Sequence, residues 1–172
     1  PIFITNTYTI NLRENNLMNQ RLLTVHATDA DSSLNGNNRV TYSISNQTGN
    51  NFGIDEVSGT ISIIQILDRE QTNIYQLIIH ASDNGSPRLQ SVGSVTVIIS
   101  LSDVNDNIPR FTSDLYQVSV NETAAPNTVI EVVTASDRDS TTSNQNIRYS
   151  ITQPFANSFF KIDPVTGAIQ LR

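Results

Sequence analysis

The chain has 172 residues, carries a formal net charge of −6 and contains no cysteine. At about 150 residues per domain, this length allows one large or two modest domains. The excess of 16 acidic over ten basic residues argues against nucleic-acid binding, which requires a surplus of lysine and arginine. The absence of cysteine excludes disulfides and thiol chemistry.

Apolar residues that alternate with polar ones predict six short strands in the first part of the chain. In chain order, the alternating residues are Tyr8, Ile10 and Leu12; Leu23, Val25 and Ala27; Val40, Tyr42 and Ile44; Ile61 and Ile63; Leu77, Ile79 and Ala81; and Val95, Val97, Ile99 and Leu101. Six or seven strands in a unit of about 100 residues are typical of an antiparallel two-sheet sandwich. An up-and-down barrel is the structural alternative.

The chain contains an internal repeat whose copies are 108 positions apart. Pro1-Ile2-Phe3 recurs as Pro109-Arg110-Phe111, and the segment 54–59 recurs as 162–167 with Asp55 matched by Asp163. A fixed period across separate matches predicts two copies of one unit, at 1–107 and 108–172. The second copy has no counterpart of residues 65–108, so we expect a truncated sandwich without its last strands, in a piece of a longer array.

Eleven of the 16 acidic residues lie in short motifs at the ends of predicted strands. These motifs are Glu14, Asp29-Ala30-Asp31, Leu67-Asp68-Arg69-Glu70, Asp83, Asp103-Val104-Asn105-Asp106-Asn107, Glu122 and Asp137-Arg138-Asp139. Strand ends meet at the two poles of a sandwich, so these carboxylates can converge. At about 5 Å and a dielectric near 20, each like-charged pair repels by roughly 3 kcal/mol, which calls for a cation. Oxygen ligands favour calcium, or magnesium in a stricter octahedron, over zinc.

In their order and spacing, these motifs resemble those of the cadherin extracellular repeat. The resemblance covers 1–107 and, as far as the second copy extends, 108–172. It implies an all-β fold of tandem Greek-key antiparallel β-sandwiches, immunoglobulin-like, with three calcium ions at each junction between repeats.

The resemblance also implies which residues bind calcium. The inter-repeat ligands would be Glu14, Asp68, Glu70, Asp103, Asn105, Asp106, Asn107, Asp137, Asp139 and Asn144. A half-site toward a preceding repeat would consist of Asp29, Asp31, Asn35 and Asp83, and Glu122 would belong to a half-site toward a following repeat. Asp55 and Asp163 are instead predicted to initiate turns.

The function that the resemblance implies is a calcium-dependent cell adhesion module in an extracellular, multi-repeat rod. Its partners would be adjacent repeats and another cadherin, bound homophilically or heterophilically. We expect a plasma-membrane protein whose transmembrane segment lies outside this sequence, since no apolar run here reaches about 18 residues. The alternative is a passive, calcium-stiffened extracellular spacer without a recognition role.

Motifs of catalysis are missing from the sequence. The sequence contains no cysteine and no Gly-x-Ser-x-Gly segment that could support nucleophilic catalysis, and it contains no glycine-rich phosphate loop. We therefore predict that the chain is not an enzyme. Among its N-glycosylation sequons, Asn46-Gln47-Thr48, in a loop after a strand, is the best candidate for modification.

Overall fold

The structure is a computed structural model that describes residues 1–30, 39–46, 49–139 and 146–172. The chain divides into two compact units, unit 1 at Pro1–Val104 and unit 2 at Asn105–Arg172. The boundary between the units therefore falls inside the acidic motif at 103–107.

Unit 1 is a β-sandwich whose described residues form nine strands. They are β1 (Ile2–Phe3), β2 (Thr7–Arg13), β3 (Arg21–Thr24), β4 (Ala27–Thr28), β5 (Thr41–Asn46), β6 (Phe52–Ile54), β7 (Thr60–Ile63), β8 (Ile74–Ser82) and β9 (Val95–Ser102). One sheet has the order β2-β9-β8-β5 and the other has the order β3-β7-β6, while β1 pairs with β4. The predicted all-β sandwich is confirmed.

One strand pair of unit 1 differs from the predicted antiparallel arrangement. β2 and β9 are parallel, in register from Thr7 opposite Thr96 to Arg13 opposite Ser102, whereas the other paired strands are antiparallel. Both strands therefore run toward the same pole of the sandwich. The acidic residues that follow them, Glu14 after β2 and the motif at 103–107 after β9, therefore begin at that pole.

The core of unit 1 is apolar and lies between the two sheets. In β9 the inward residues Val95, Val97 and Ile99 are fully buried and alternate with partly exposed ones, as the period of two predicts. Phe52 of β6 packs edge-on against Tyr75 of β8, with ring centroids 5.2 Å apart. This packed core supports the strand ends that carry the acidic motifs.

Unit 2 contains fewer strands among its described residues. They are β10 (Arg110–Phe111), β11 (Val129–Val132), β12 (Ala135–Ser136), β13 (Phe160–Ile162) and β14 (Ala168–Leu171), with one helix, α1 (Pro154–Phe159). β11, β14 and β13 form a three-stranded antiparallel sheet, and β10 pairs with β12. The helix is too short to show a helical period in the sequence, and its proline occupies the first turn, where no amide donor is needed.

The internal repeat reappears as equivalent contacts in the two units. The Tyr42 hydroxyl accepts the backbone N–H of Ala27 at 3.0 Å, and the Tyr149 hydroxyl accepts that of Ala135 at 2.9 Å. The ring centroids of Tyr42 and Phe3 are 6.3 Å apart in unit 1, and those of Tyr149 and Phe111 are 6.3 Å apart in unit 2. The two copies therefore share local packing as well as sequence.

The repeated turn confirms the structural role predicted for Asp55 and Asp163. Asp55 Oδ1 accepts the backbone N–H of Ser58 at 2.7 Å, and Asp163 Oδ1 accepts that of Thr166 at 2.7 Å. These bonds hold the pKa of both carboxyl groups below the usual range for aspartate. Their stabilisation is therefore present above the carboxyl pKa of the unfolded chain and is lost as the pH falls through the folded value.

Candidate metal centre

Glu14 joins two other segments of unit 1 through its carboxylate. The side chain is 3% exposed, and its two oxygens accept the backbone N–H groups of Arg69 at 2.7 Å and Val104 at 2.8 Å. The end of β2, the segment at 67–70 and the chain after β9 are thereby held together. Each carboxylate oxygen keeps a further lone pair with which it can bind a cation.

Glu70 lies close to two other carboxylates at the pole of unit 1 where β2 and β9 end. One oxygen of Glu70 lies within 4.8 Å of an oxygen of Glu14, and one lies within 4.8 Å of an oxygen of Asp103. Two oxygens bound to the same calcium ion are at most about 5.2 Å apart, since Ca–O bonds are about 2.3–2.6 Å long. The spacing and the donor type therefore fit a calcium ion. Two unit charges at this distance repel by about 3 kcal/mol at a dielectric near 20, so a cation is favoured here.

Arg69 brings a positive charge to the same carboxylates. Its Nη1 lies 3.9 Å from Glu70 Oε1 and 3.5 Å from Asp103 Oδ1, and its Nε donates to the Leu101 carbonyl at 3.3 Å. The segment at 67–70 therefore supplies a carboxylate and a cation to one pole of unit 1.

Asp68, a predicted ligand, lies outside this carboxylate group. Its oxygens accept the backbone N–H of Gln71 at 3.0 Å and the Gln71 side-chain Nε2 at 2.7 Å. Its carbonyl also accepts the N–H of Thr72 at 3.0 Å. The side chain thus caps a turn, and Gln71, which the sequence analysis did not single out, holds it there. The available sequence signal for such a cap is a glutamine three residues after the aspartate, as in Asp68 and Gln71.

Unit 2 gathers its predicted ligands in a second cluster. Asn107 Nδ2 donates to Asp106 Oδ1 at 2.8 Å and to Asp139 Oδ1 at 2.7 Å, and the Asn107 backbone N–H reaches the same Asp139 oxygen at 3.3 Å. Asp137 Oδ1 accepts the Asp139 N–H at 2.9 Å. Asn105, in the same segment, is exposed. Residues 32 positions apart in sequence are therefore brought together, as the motifs predict.

The half-site at the other pole of unit 1 is partly described. Asp29 and Asp83 line one cavity of about 270 Å³. Asp83 is 2% exposed, and its Oδ1 accepts the N–H groups of Gly85 at 3.0 Å and Leu89 at 2.9 Å. Asp29 Oδ2 lies 2.8 Å from the Pro1 nitrogen.

Five further predicted residues lie either outside the described residues or at exposed positions. Asp31, Asn35 and Asn144 lie outside the residues that the structure describes. Glu122 is exposed in a turn of unit 2. Asn46, predicted to lie in a loop, is instead the exposed last residue of β5, where it pairs with Ile78, and Gln47 and Thr48 of its sequon are outside the described residues.

A β-sandwich with acidic groups at its strand ends, followed by a unit that repeats its motifs and local packing, is typical of repeat proteins built from β-sandwiches. The model of the cadherin domain family matches residues 8–100 and 116–172. The chain therefore belongs to the cadherin family, and calcium binding is a general property of cadherin repeats. Membership of an adhesion family fits the prediction that the chain is not an enzyme.

Curated relatives of the chain are long cell-adhesion proteins of this family. The chain is 38% identical over 169 residues to human protocadherin-7, with 98% of this chain and 15% of the relative covered. It is 37% identical over 186 residues to the protein dachsous of Drosophila melanogaster, with 100% and 5% covered. To human protocadherin Fat 4 it is 37% identical, with 98% and 3% covered. The chain thus spans at most about a sixth of these three relatives.

Solved structures of cadherin repeats share the fold. The mouse cadherin-23 EC22-24 structure matches with a TM-score of 0.81 and 31% identity, over 99% of this chain and 53% of that one. The protocadherin gamma C5 EC1-3 structure matches with a TM-score of 0.82 and 28% identity, over 99% and 56%. Within the described residues of this chain, no helix has the length and apolar character that a membrane crossing requires.

Proposed function

We propose that this chain is a calcium-dependent cell adhesion module, in which calcium ions bound by both units stiffen a segment of an extracellular, multi-repeat rod. The observation that carries the proposal is the approach of Glu70 to both Glu14 and Asp103 within unit 1, with carboxylate oxygens within 4.8 Å in each pair. A buried or half-buried group of three carboxylates is stable when a divalent cation balances its charge.

Chain connectivity supports a calcium site that uses ligands from both units. Asp103 belongs to unit 1 and Asn105 to unit 2. Two residues span at most about 7 Å, so a cation on Asp103 is within reach of side-chain or carbonyl oxygens of the following linker residues. The proposed ligand set is the predicted one: Glu14, Asp68, Glu70, Asp103, Asn105, Asp106, Asn107, Asp137, Asp139 and Asn144. Asp68 would have to release Gln71 in order to bind the ion.

The ions would act as a mechanical support and would have no catalytic role. Without calcium, like charges at the unit boundary repel and the short linker can bend. With calcium, oxygen ligands from both units bind the same ions, which restricts the angle between the units. Extracellular calcium modules bind the ion with dissociation constants of about 10⁻⁴–10⁻³ M, so the sites would be filled outside cells and empty in the cytosol.

The remaining acidic positions would extend the array in both directions. Asp29, Asp31, Asn35 and Asp83 would bind calcium shared with a preceding repeat, and Glu122 would do so with a following one. The rod would belong to a plasma-membrane protein and bind another cadherin, homophilically or heterophilically. Bead aggregation by the whole extracellular array, with calcium and with chelator, measures this binding; a lack of any partner would favour a passive spacer.

We expect Asp106→Ala to weaken calcium binding by about tenfold or more, because it removes a carboxylate from the linker. Isothermal titration of the 172-residue chain with calcium measures the affinity, and proteolysis near residues 103–109 reports the linker. Asp114→Ala is the matched control, since Asp114 is an exposed aspartate of the same unit outside the motifs. Equal calcium affinity in the Asp106 variant and the control would refute the ligand assignment.

We also propose Asn46 as an N-glycan acceptor, because it is exposed at the end of β5. The chain secreted from a eukaryotic cell should lose the mass of one glycan in the Asn46→Gln variant. Asn84→Gln is the control, because Asn84 heads a second sequon in the same unit. An unchanged mass in the Asn46 variant would contradict the assignment.

A further inference from the structure

Arg69 is the one charged residue of the motif at 67–70 for which the proposed calcium site has no ligand role. Its guanidinium is 21% exposed and lies 3.5 Å from Asp103 Oδ1 and 3.9 Å from Glu70 Oε1. The Nε atom donates to the carbonyl of Leu101, near the end of β9, at 3.3 Å. The charged group is therefore anchored to the sandwich and faces two of the proposed calcium ligands.

A fixed positive charge at this place has two opposite effects. It reduces the repulsion among Glu14, Glu70 and Asp103, and so stabilises the pole when calcium is absent. It also repels a divalent cation that binds the same carboxylates. An arginine suits both effects because its planar, positively charged fork can contact two acceptors at once.

We propose that Arg69 is a positioning residue that holds Glu70 and Asp103 in place without calcium and thereby lowers the affinity of the site for calcium. This inference rests on the proposed function, since it assumes that these carboxylates bind the ion. Arg69 then helps to keep the calcium dissociation constant of the site in the range expected for extracellular modules. The backbone N–H of the same residue, which Glu14 accepts at 2.7 Å, keeps its place whatever the side chain is.

The test is Arg69→Met, which keeps an unbranched apolar stem and removes the charge. We expect the calcium dissociation constant to fall about tenfold, the effect of removing one unit charge a few ångströms from a divalent ion in a high-dielectric site. In chelator, the same variant should unfold at a lower temperature than the wild type. A purely structural role would weaken calcium binding and stability together, so the opposite signs of the two changes are the specific result.

Two further variants keep the test decisive. Arg69→Lys retains the charge without the planar fork, and we expect its dissociation constant to stay within about threefold of the wild type. Arg21→Met removes the same charge from the outer face of β3, where Arg21 and Asp55 line one cavity, and should leave calcium binding unchanged. If Arg69→Met does not fold, Arg69→Gln replaces it, and we expect the calcium dissociation constant of that variant to fall as well.

The outcome separates this inference from the proposed function. A wild-type chain that binds no calcium in isothermal titration would overturn the calcium site, and this inference with it. A wild-type chain that binds calcium, together with an Arg69→Met dissociation constant that is unchanged or larger, would overturn this inference alone.

Discussion

Glu14→Ala should lower the free energy of unfolding of unit 1 by about 2–5 kcal/mol in the absence of calcium. The substitution leaves two backbone N–H groups, of Arg69 and Val104, without the carboxylate that accepts them. Each half-buried donor that loses its partner costs about 1–3 kcal/mol, and relief of the repulsion between Glu14 and Glu70 offsets part of that loss. The loss should appear as faster amide hydrogen exchange in β8 and β9, whose core amides exchange through unfolding of the whole unit.

The same variant should also weaken calcium binding at the pole of unit 1 where Glu70 lies within 4.8 Å of both Glu14 and Asp103, since one of these carboxylates is gone. Glu56→Ala is the control, because Glu56 is exposed in the same unit and its replacement should change stability by less than about 0.5 kcal/mol. Exchange rates that match between the two variants would mean that Glu14 does not hold these segments together.

Gly59→Ala should be the most disruptive substitution in the repeated turn, lowering stability by about 2–4 kcal/mol. Gly59 has φ +71°, which favours glycine, and a β-carbon there would lie 2.5 Å from the Val25 carbonyl oxygen. The backbone would have to move, and the hydrogen bond from the Val25 N–H to the Gly59 carbonyl, 3.0 Å, would be strained. Thermal unfolding followed by circular dichroism measures the loss.

Gly93→Ala provides the matched control within unit 1. A β-carbon at Gly93 would meet no heavy atom within 4 Å, so we expect a change of less than about 0.5 kcal/mol. The equivalent turn in unit 2 should behave like the first, because Gly167 has φ +72° and its β-carbon would clash with the Val133 carbonyl oxygen. Similar melting curves for the Gly59 and Gly93 variants would contradict this account of the turn.

Alternation in the sequence predicts the long strands of unit 1 because one face of each strand packs on the core. It does not reveal where a strand changes partners. The run through Leu23, Val25 and Ala27 reads as one strand, yet β3 ends at Thr24 and β4 begins at Ala27. The break arises because β3 pairs with β7 whereas β4 pairs with β1. Such pairing depends on residues distant in sequence.

The sequence likewise predicts some contacts of the candidate site and not others. Repetition of acidic motifs at strand ends predicts that Asp139 and Asn107 come together, and the structure places them in direct contact. The sequence pattern does not predict that Asp68 is held by Gln71, since a local cap and a metal ligand use the same oxygens. It also gives no sign of the backbone donors to Glu14, because main-chain N–H groups leave no mark in a sequence.

The distance between the two units, measured with and without calcium, shows directly whether calcium stiffens this segment. The chain has no cysteine, so Val57→Cys/Val165→Cys, with one exposed site in each unit, can be spin-labelled selectively. A second pair within unit 1, Val57→Cys/Val92→Cys, controls for motion of the labels, since Val92 is 99% exposed. Pulsed electron paramagnetic resonance then gives the distance distribution of each pair.

We predict that the pair across the units gives a broad distribution in chelator and a narrow one at millimolar calcium, while the pair within unit 1 stays unchanged. Asp106→Ala should keep the distribution between units broad at a calcium concentration that narrows it in the wild type. If the wild-type chain binds calcium and the distance distribution across the units keeps the same width, the ions do not stiffen this segment and the proposed mechanical role of calcium is wrong.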